Sequence, residues 1–124
     1  MSTNLRSAIQ IYQLAVRLQR CADYCYRSRP NSRSAALLHL AKICLLEAGA
    51  MQTLCTALEY SQNRTGGLVT LTPPALKLGL SLASSPGLTL KSEATRMTKN
   101  IEKMVALCLD FGRANGLVRP LTTR

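Results

Sequence analysis

The chain has 124 residues, enough for one compact domain with its own core but too few for a second domain of ordinary size. There are 16 Lys and Arg against 6 Asp and Glu, which gives a formal net charge of +10, and 47% of the residues are hydrophobic. A disordered basic tail contains too few apolar residues to form a core, so this composition excludes that class and places the charge on a folded surface. The composition therefore predicts an acidic partner.

The cysteines and the N-terminal segment indicate the cellular compartment of the protein. The chain has five cysteines, an odd number, with irregular gaps between them: Cys21, Cys25, Cys44, Cys55 and Cys108. All lie within apolar helical patterns, which favours reduced core residues over the disulfide framework of a secreted protein. Residues 1–22 lack a secretory signal, and although they are Arg-rich like a transit peptide, they also suit a bundle helix. Segment 35–58 carries His39, Lys42 and Glu47, so we expect it not to span a bilayer. These features predict a cytoplasmic protein.

Two long helices are predicted in the first half. Residues 4–27 place apolar side chains at steps of three and four on one side, with Arg and Gln on the other. Pro30 then ends the helical pattern, and Asn31 or Ser32 can cap the next helix. That second helix, over 32–62, is apolar around most of its circumference. Such a helix must be covered by several others or by a second copy of the chain.

Two further helices are predicted in the second half. Residues 64–71 form the best loop, because two adjacent glycines interrupt the pattern there. Thr72 can cap a short helix over 73–84 that begins with two prolines, although strictly alternating leucines within it are a strand signal. A last helix covers 91–114, and Gly116 can form its C-terminal cap.

These elements together predict an all-α fold. We expect a helical bundle of three to four helices, completed by dimerisation because a monomer of this size buries a modest share of its surface. Residues 1–116 form the single helical domain. Residues 117–124 form a flexible basic tail.

Residues able to carry out catalysis are few. His39 is the single histidine, and the six carboxylates include no close pair. A Cys–His nucleophile pair stays open, since such partners meet only in space. Cys21 and Cys25 lie one turn apart and could hold a soft metal ion, but two cysteines in an apolar pattern are more typical of a core. We therefore expect a non-enzymatic protein with no catalytic residue, no metal and no cofactor.

Basic side chains form the clearest pattern in the sequence. On the first helix, arginines recur on one side over roughly 30 Å of helix axis and continue across the turn. An arginine-rich strip with almost no acidic residues favours polyanion binding over an ordinary solvated face. The main candidate nucleic-acid-binding residues are Arg6, Arg17, Arg20, Arg27, Arg29 and Arg33. A second group comprises Lys42, Arg96, Lys99 and Lys103.

The scarcity of aromatic residues narrows the class of polyanion. The chain has no Trp, one Phe and four Tyr, whereas proteins that bind single strands rely on stacking bases against aromatic rings. What remains is binding to the phosphate backbone of a duplex, which is indifferent to sequence. The alternatives are an acidic protein partner on the basic face and an anionic membrane surface against the first helix.

A further pattern covers residues 1–58. A short amphipathic helix is followed by Tyr26, with Pro30 and Asn31 in the turn. The long helix then carries four residues whose register is similar to that in a known family: Leu37, Leu40, Thr56 and Leu58. In these features the first half resembles the nodavirus family of small double-stranded-RNA-binding suppressors of RNA silencing. The resemblance implies a homodimer of antiparallel helices that lies along duplex RNA and shields it from processing enzymes.

The chain also departs from that family. Ala35, Leu46 and Thr53 stand where the family carries basic residues on its long helix, so those RNA contacts do not carry over. The last helix has no counterpart there. Heavy use of Leu, Ser and Arg with almost no Trp or Phe is typical of overlapping reading frames and fits a viral accessory protein, although a Leu-rich bundle gives the same composition.

Overall fold

The computed structural model describes residues 2–63 and 70–117. They form four helices: α1 (Thr3–Ser28), α2 (Ser32–Asn63), α3 (Pro73–Ser84) and α4 (Leu90–Ala114). No strand occurs in these two stretches, which confirms the all-α helical bundle. Each helix begins and ends within one residue of its predicted bounds. Most of the predicted loop, and the predicted tail beyond Leu117, lie outside the described residues.

Local hydrogen bonds begin the long helices where the sequence places capping residues. The Ser2 hydroxyl accepts a hydrogen bond from the Leu5 N–H at 3.1 Å and starts α1. At the turn, the Asn31 side chain accepts from the Ser34 N–H at 2.8 Å, and the Ser34 hydroxyl accepts from the Asn31 N–H at 3.0 Å. Thr89 and Ser92 form the same reciprocal pair at the start of α4.

The C-terminal end of α4 and the N-terminal end of α3 also follow the sequence. Gly116 has φ 71°, a left-handed conformation that costs glycine little, and the Leu117 N–H then donates to the Gly112 carbonyl at 2.7 Å. Thr72 precedes α3 as predicted, but its side chain makes no capping hydrogen bond. Leu78 and Leu82 of α3 pack against the core, whereas Leu76 and Leu80 are exposed. The alternating leucines are therefore two helical i, i+4 pairs on opposite sides rather than a strand.

Helices α1, α2 and α4 form a three-helix core, and α3 packs on the outside of α2. Helix α2 runs antiparallel to α1, since the Ser2 N–H donates to the Glu59 carboxylate at 2.6 Å. Helix α4 runs parallel to α1, since Cys25 at the end of α1 lies 3.8 Å from the Cys108 carbonyl near the end of α4. The N-terminal ends of α1 and α4 therefore lie at one end of the bundle.

The main hydrophobic core lies between α1, α2 and α4, where Leu18, Met51 and Ile101 are fully buried. A smaller cluster of Ala50, Leu54 and Ala75 joins α3 to α2. The other helices leave part of the α2 surface uncovered. Among the described residues of α2 and α3, six large aliphatic side chains are exposed, and five of them, all except Leu58, are what we call the apolar patch: Leu40, Ile43, Leu46, Leu76 and Leu80.

One sequence expectation about α2 needs correction. Residues Ser32–Ser61 are, by length and composition, apolar enough to cross a membrane despite His39, Lys42 and Glu47. The core helix of a water-soluble bundle meets the same criterion, and α2 packs against the other three helices through its buried face. Part of the apolar surface of α2 is thus buried against the other helices.

We expect Leu18→Ala to lower the free energy of unfolding by about 2–5 kcal/mol, because it removes a fully buried side chain and leaves a cavity. Leu107→Ala, the same change on an exposed position of α4, should cost about 1 kcal/mol or less. Urea denaturation at a constant m value measures both. Equal losses in the two variants would contradict the assigned core.

Candidate nucleic-acid interface

A row of arginines runs along the solvent side of α1. Arg6, Arg17, Arg20 and Arg27 are exposed, and the opposite side of the helix is buried in the bundle. At 1.5 Å per residue, the row extends over roughly 30 Å. The buried face fixes the direction in which the arginines project, because rotating α1 about its axis would expose Leu18.

The turn after α1 extends this row. Arg29 and Arg33 are exposed close to the buried Ser34, whose hydroxyl donates to the Arg29 carbonyl at 2.7 Å. With Asn31, this serine holds the turn in one conformation. We call the set of six the arginine face: Arg6, Arg17, Arg20, Arg27, Arg29 and Arg33.

Most of the charge on the arginine face is uncompensated. Arg27 forms an ion pair with Asp23 one turn earlier. Within the two described stretches, the other five arginines of the face have no carboxylate within 4.0 Å. Guanidinium groups in this state have all their N–H donors available to an incoming anion.

The second group of basic residues does not form one surface. Arg96 is bound by Glu93 and Glu47 at 2.9 and 3.3 Å, and its hydrogen bond to Glu93 is the main reason that its pKa is raised. The carboxylates of Glu93 and Glu47 thus offset the charge of Arg96 within the protein. Lys42 is exposed on α2, beside a hollow that Tyr12 and Gln19 of α1 also line.

Lys99 and Lys103 are exposed on α4, and Lys99 borders a groove between α1 and α4. This α1–α4 groove has a volume of about 640 Å³ and an apolar floor that includes Ile11 and Leu14. Its polar lining residues are Thr3, Asn4, Ser7, Gln10, Lys91, Thr95, Thr98, Lys99 and Glu102. The sequence analysis missed the groove, although Lys91, Thr95 and Lys99 follow the i, i+4 spacing of one helical face.

Three thiols meet at the end of the bundle where α1 and α4 finish. Cys25 and Cys108 are buried and in contact, and Cys21 lies half-buried near them. Burial raises the pKa of the Cys108 thiol to about 12, and the neighbouring thiols add to the effect. Burial also raises the pKa of Cys21 and of Cys25. Thiols in this state are weak nucleophiles and weak metal ligands at neutral pH.

The described residues contain no cluster of three or more His, Cys, Asp or Glu side chains that could hold a metal ion. His39 is exposed on α2, and no hydrogen bond in this part of the chain joins it to a thiol. The exposed guanidinium groups of the arginine face have the chemical capacity to bind anions.

Comparison of the chain with protein-family models, with curated proteins and with solved structures finds no match. The arguments for a function thus depend on the chain's own residues and geometry.

The raised pKa of Cys108 predicts a loss of stability at high pH. In the unfolded chain this thiol titrates near 9.0, while in the folded protein it holds its proton up to about pH 12. Between these values the folded state binds the extra proton, so the free energy of unfolding falls by up to about 1.4 kcal/mol per pH unit. Below pH 9 the burial of this protonated thiol carries no such loss, and its full contribution to the free energy of unfolding is present.

Cys108→Ala removes the titrating group and is the matched comparison. Urea denaturation from pH 8 upwards should show a steeper decline for the wild type than for this variant. If the free energy of unfolding fell equally with pH in both proteins, the raised pKa of Cys108 in the folded state would be contradicted.

Proposed function

We propose that this protein binds double-stranded RNA through its arginine face and shields the duplex from processing enzymes, as a non-enzymatic suppressor of RNA silencing in the host-cell cytoplasm. The observation that carries the proposal is a row of exposed arginines, five of the six without an acidic partner among the described residues. The resemblance of residues 1–58 to the nodavirus suppressors supports duplex RNA as the polyanion.

The shape of the arginine face supports a duplex rather than a flexible strand. A rigid helix presents its charges at fixed positions along a straight line of roughly 30 Å, which matches the straight axis of a rigid duplex better than a flexible single strand. Of the exposed tyrosines, Tyr12 and Tyr60 both line one hollow between α1 and α2. Contacts from arginine to phosphate supply affinity without sequence specificity.

The salt dependence of binding tests this proposal. For a short RNA duplex, the logarithm of the binding constant should fall linearly with the logarithm of salt concentration, by nearly one unit of slope per phosphate contact. Arg17→Gln and Arg20→Gln should each weaken binding and each lower the slope by about one. Fluorescence anisotropy over about 50–200 mM salt measures both quantities.

Arg113→Gln is the matched control, because Arg113 is also exposed but pairs with Asp110 on α4. Anionic vesicles and an acidic polypeptide, assayed in parallel, represent the alternative partners. Binding to duplex RNA that is absent, or that is unchanged by Arg17→Gln and Arg20→Gln, would overturn the proposal. Protection of the bound duplex from a ribonuclease III enzyme then tests the shielding itself.

The apolar patch supports a second proposal, that two copies of the chain associate through α2 and α3. Leu46 and Leu80 are each 62% exposed, and the hollows beside them share Pro73, Lys77 and Ser81, so exposed apolar side chains of α2 and α3 lie on both sides of these three residues. Large exposed apolar side chains close together on a small protein are typical of an interface.

Leu46→Lys and Leu80→Lys should shift the chain towards monomer, because each buries a charge if the copies associate. Sedimentation velocity over a concentration series measures the shift. Leu107→Lys, on exposed α4 surface outside the patch, should leave association unchanged. A wild-type chain that is monomeric at every concentration would contradict the second proposal and favour a different protein partner at the patch.

A further inference from the structure

We infer that Ser32 is a phosphorylation site for an arginine-directed protein kinase, and that a phosphate there weakens the binding of a duplex by the arginine face. Ser32 is the first residue of α2, with Arg29 three positions before it and Arg33 directly after it. The effect on binding rests on the proposed function, because it concerns the same surface. The phosphorylation itself does not.

The hydroxyl of Ser32 is accessible and holds no other group in the fold. Ser32 is exposed, and among the described residues no hydrogen bond occupies its side chain. Ser34 is different, because it is buried, its hydroxyl accepts from the Asn31 N–H, and the same hydroxyl donates to the Arg29 carbonyl. Asn31 and Ser34 therefore hold the turn, and a group added to Ser32 interrupts none of these hydrogen bonds.

The charges before Ser32 fit the substrate site of an arginine-directed kinase. Such a kinase selects its target serine through acidic side chains that bind an arginine a few positions earlier. Ser32 is the single serine of the chain with an arginine three positions before it, and Arg27 lies two positions further back. Arg29 is exposed, and in the described stretches no carboxylate lies within 4.0 Å of it, so its guanidinium group is available to an acidic site.

The backbone around Ser32 also suits modification. Residues 29–31 lie outside both helices, and Arg29 has the non-helical angles φ −141° and ψ 77°. Pro30 prevents α1 from continuing into α2. Helix ends fray, so Ser32 at the first position of α2 can leave the helix for a kinase active site while the bundle stays folded. The residues that a kinase reads before its target serine are thus presented on an exposed, non-helical segment.

Phosphorylation changes the charge of the arginine face. The kinase transfers the γ-phosphoryl group of ATP to the Ser32 Oγ, which forms an Oγ–P bond and breaks the bond to the bridging oxygen that leaves with ADP. The hydroxyl proton passes to the catalytic carboxylate of the kinase. The product carries about 1.5 to 2 negative charges at neutral pH, beside Arg29 and Arg33. These arginines then pair with the new phosphate instead of the phosphates of a duplex.

The fold should tolerate this phosphate. Negative charge is favourable in the first turn of a helix, and the first turn of α2 contains no acidic residue. Phosphorylation should therefore leave the midpoint of thermal unfolding equal or higher while it weakens binding. A drop in that midpoint together with a loss of binding would indicate a damaged fold and would contradict the inferred effect of charge.

The first test incubates the folded full-length chain with the catalytic subunit of the cAMP-dependent protein kinase and magnesium ATP, and maps phosphate by mass spectrometry. We expect phosphate on Ser32, and Ser32→Ala should abolish that signal. Arg29→Gln should slow the modification by about tenfold, because it removes a charged hydrogen-bond partner of the kinase. Thr122→Ala is the matched control, since Thr122 also follows an arginine by three positions, and it should leave phosphorylation of Ser32 unchanged.

The second test measures binding of a short RNA duplex by fluorescence anisotropy. The phosphorylated chain should bind at least about tenfold more weakly at about 100 mM salt, with a salt slope lower by about two, because two phosphate contacts are lost. Unmodified Ser32→Ala should bind like the wild type.

The two tests separate the possible failures. An absence of phosphate on Ser32, or its incorporation only after denaturation, overturns the modification site whatever the RNA measurements give. Phosphate on Ser32 with unchanged affinity for the duplex overturns the effect on binding and leaves the proposed duplex binding in place. If the unmodified chain binds no duplex, the proposed function fails and the effect on binding fails with it, while the mapped phosphorylation site stands.

Discussion

The position of every arginine on α1 depends on how closely that helix packs into the bundle. Ala8, Ala15 and Ala22 on its inner side are fully or almost fully buried, and they follow the seven-residue repeat of a helix that lies along its neighbours. Small side chains bring the helix backbones close together, and Leu18 between them fills the core. Since this packing allows α1 one rotation about its axis, the arginine face is a rigid surface. Its long side chains still adapt, but their points of attachment do not move.

Sequence patterns predicted α1 almost completely and α2 incompletely, for one physical reason. On α1, polar and apolar residues occupy opposite sides, so the period of the pattern also gives the orientation. All seven residues predicted to face inward are buried: Leu5, Ala8, Ile11, Ala15, Leu18, Ala22 and Cys25. On α2 nearly every side is apolar, and the pattern cannot tell the covered side from the exposed one. Leu37 is buried and Leu40 is exposed, although both are leucines in the same apolar run.

In the candidate site, too, features set within one helix could be predicted from the sequence, and features set by contacts between distant residues could not. Exposure of the arginines follows from the pattern of one helix, so it could be predicted. The contact of Arg96 with Glu47 joins residues 49 positions apart, and only the packing of α2 against α4 brings them together. The α1–α4 groove likewise exists because two helices distant in sequence run parallel. Single-helix periodicity contains no information about which helices become neighbours.

The arginine face and the apolar patch lie mostly on different helices. Five of the six arginines belong to α1 and the turn after it, and Arg33 lies in the first turn of α2, whereas the apolar patch belongs to α2 and α3, with α3 packed against α2. If two copies associate through the patch, each contributes its own arginine face, and the second face would bind a duplex already held by the first at a high effective concentration. Moderate affinity at each face would then give tight binding to long duplexes and weak binding to short ones, which suits the proposed shielding of RNA.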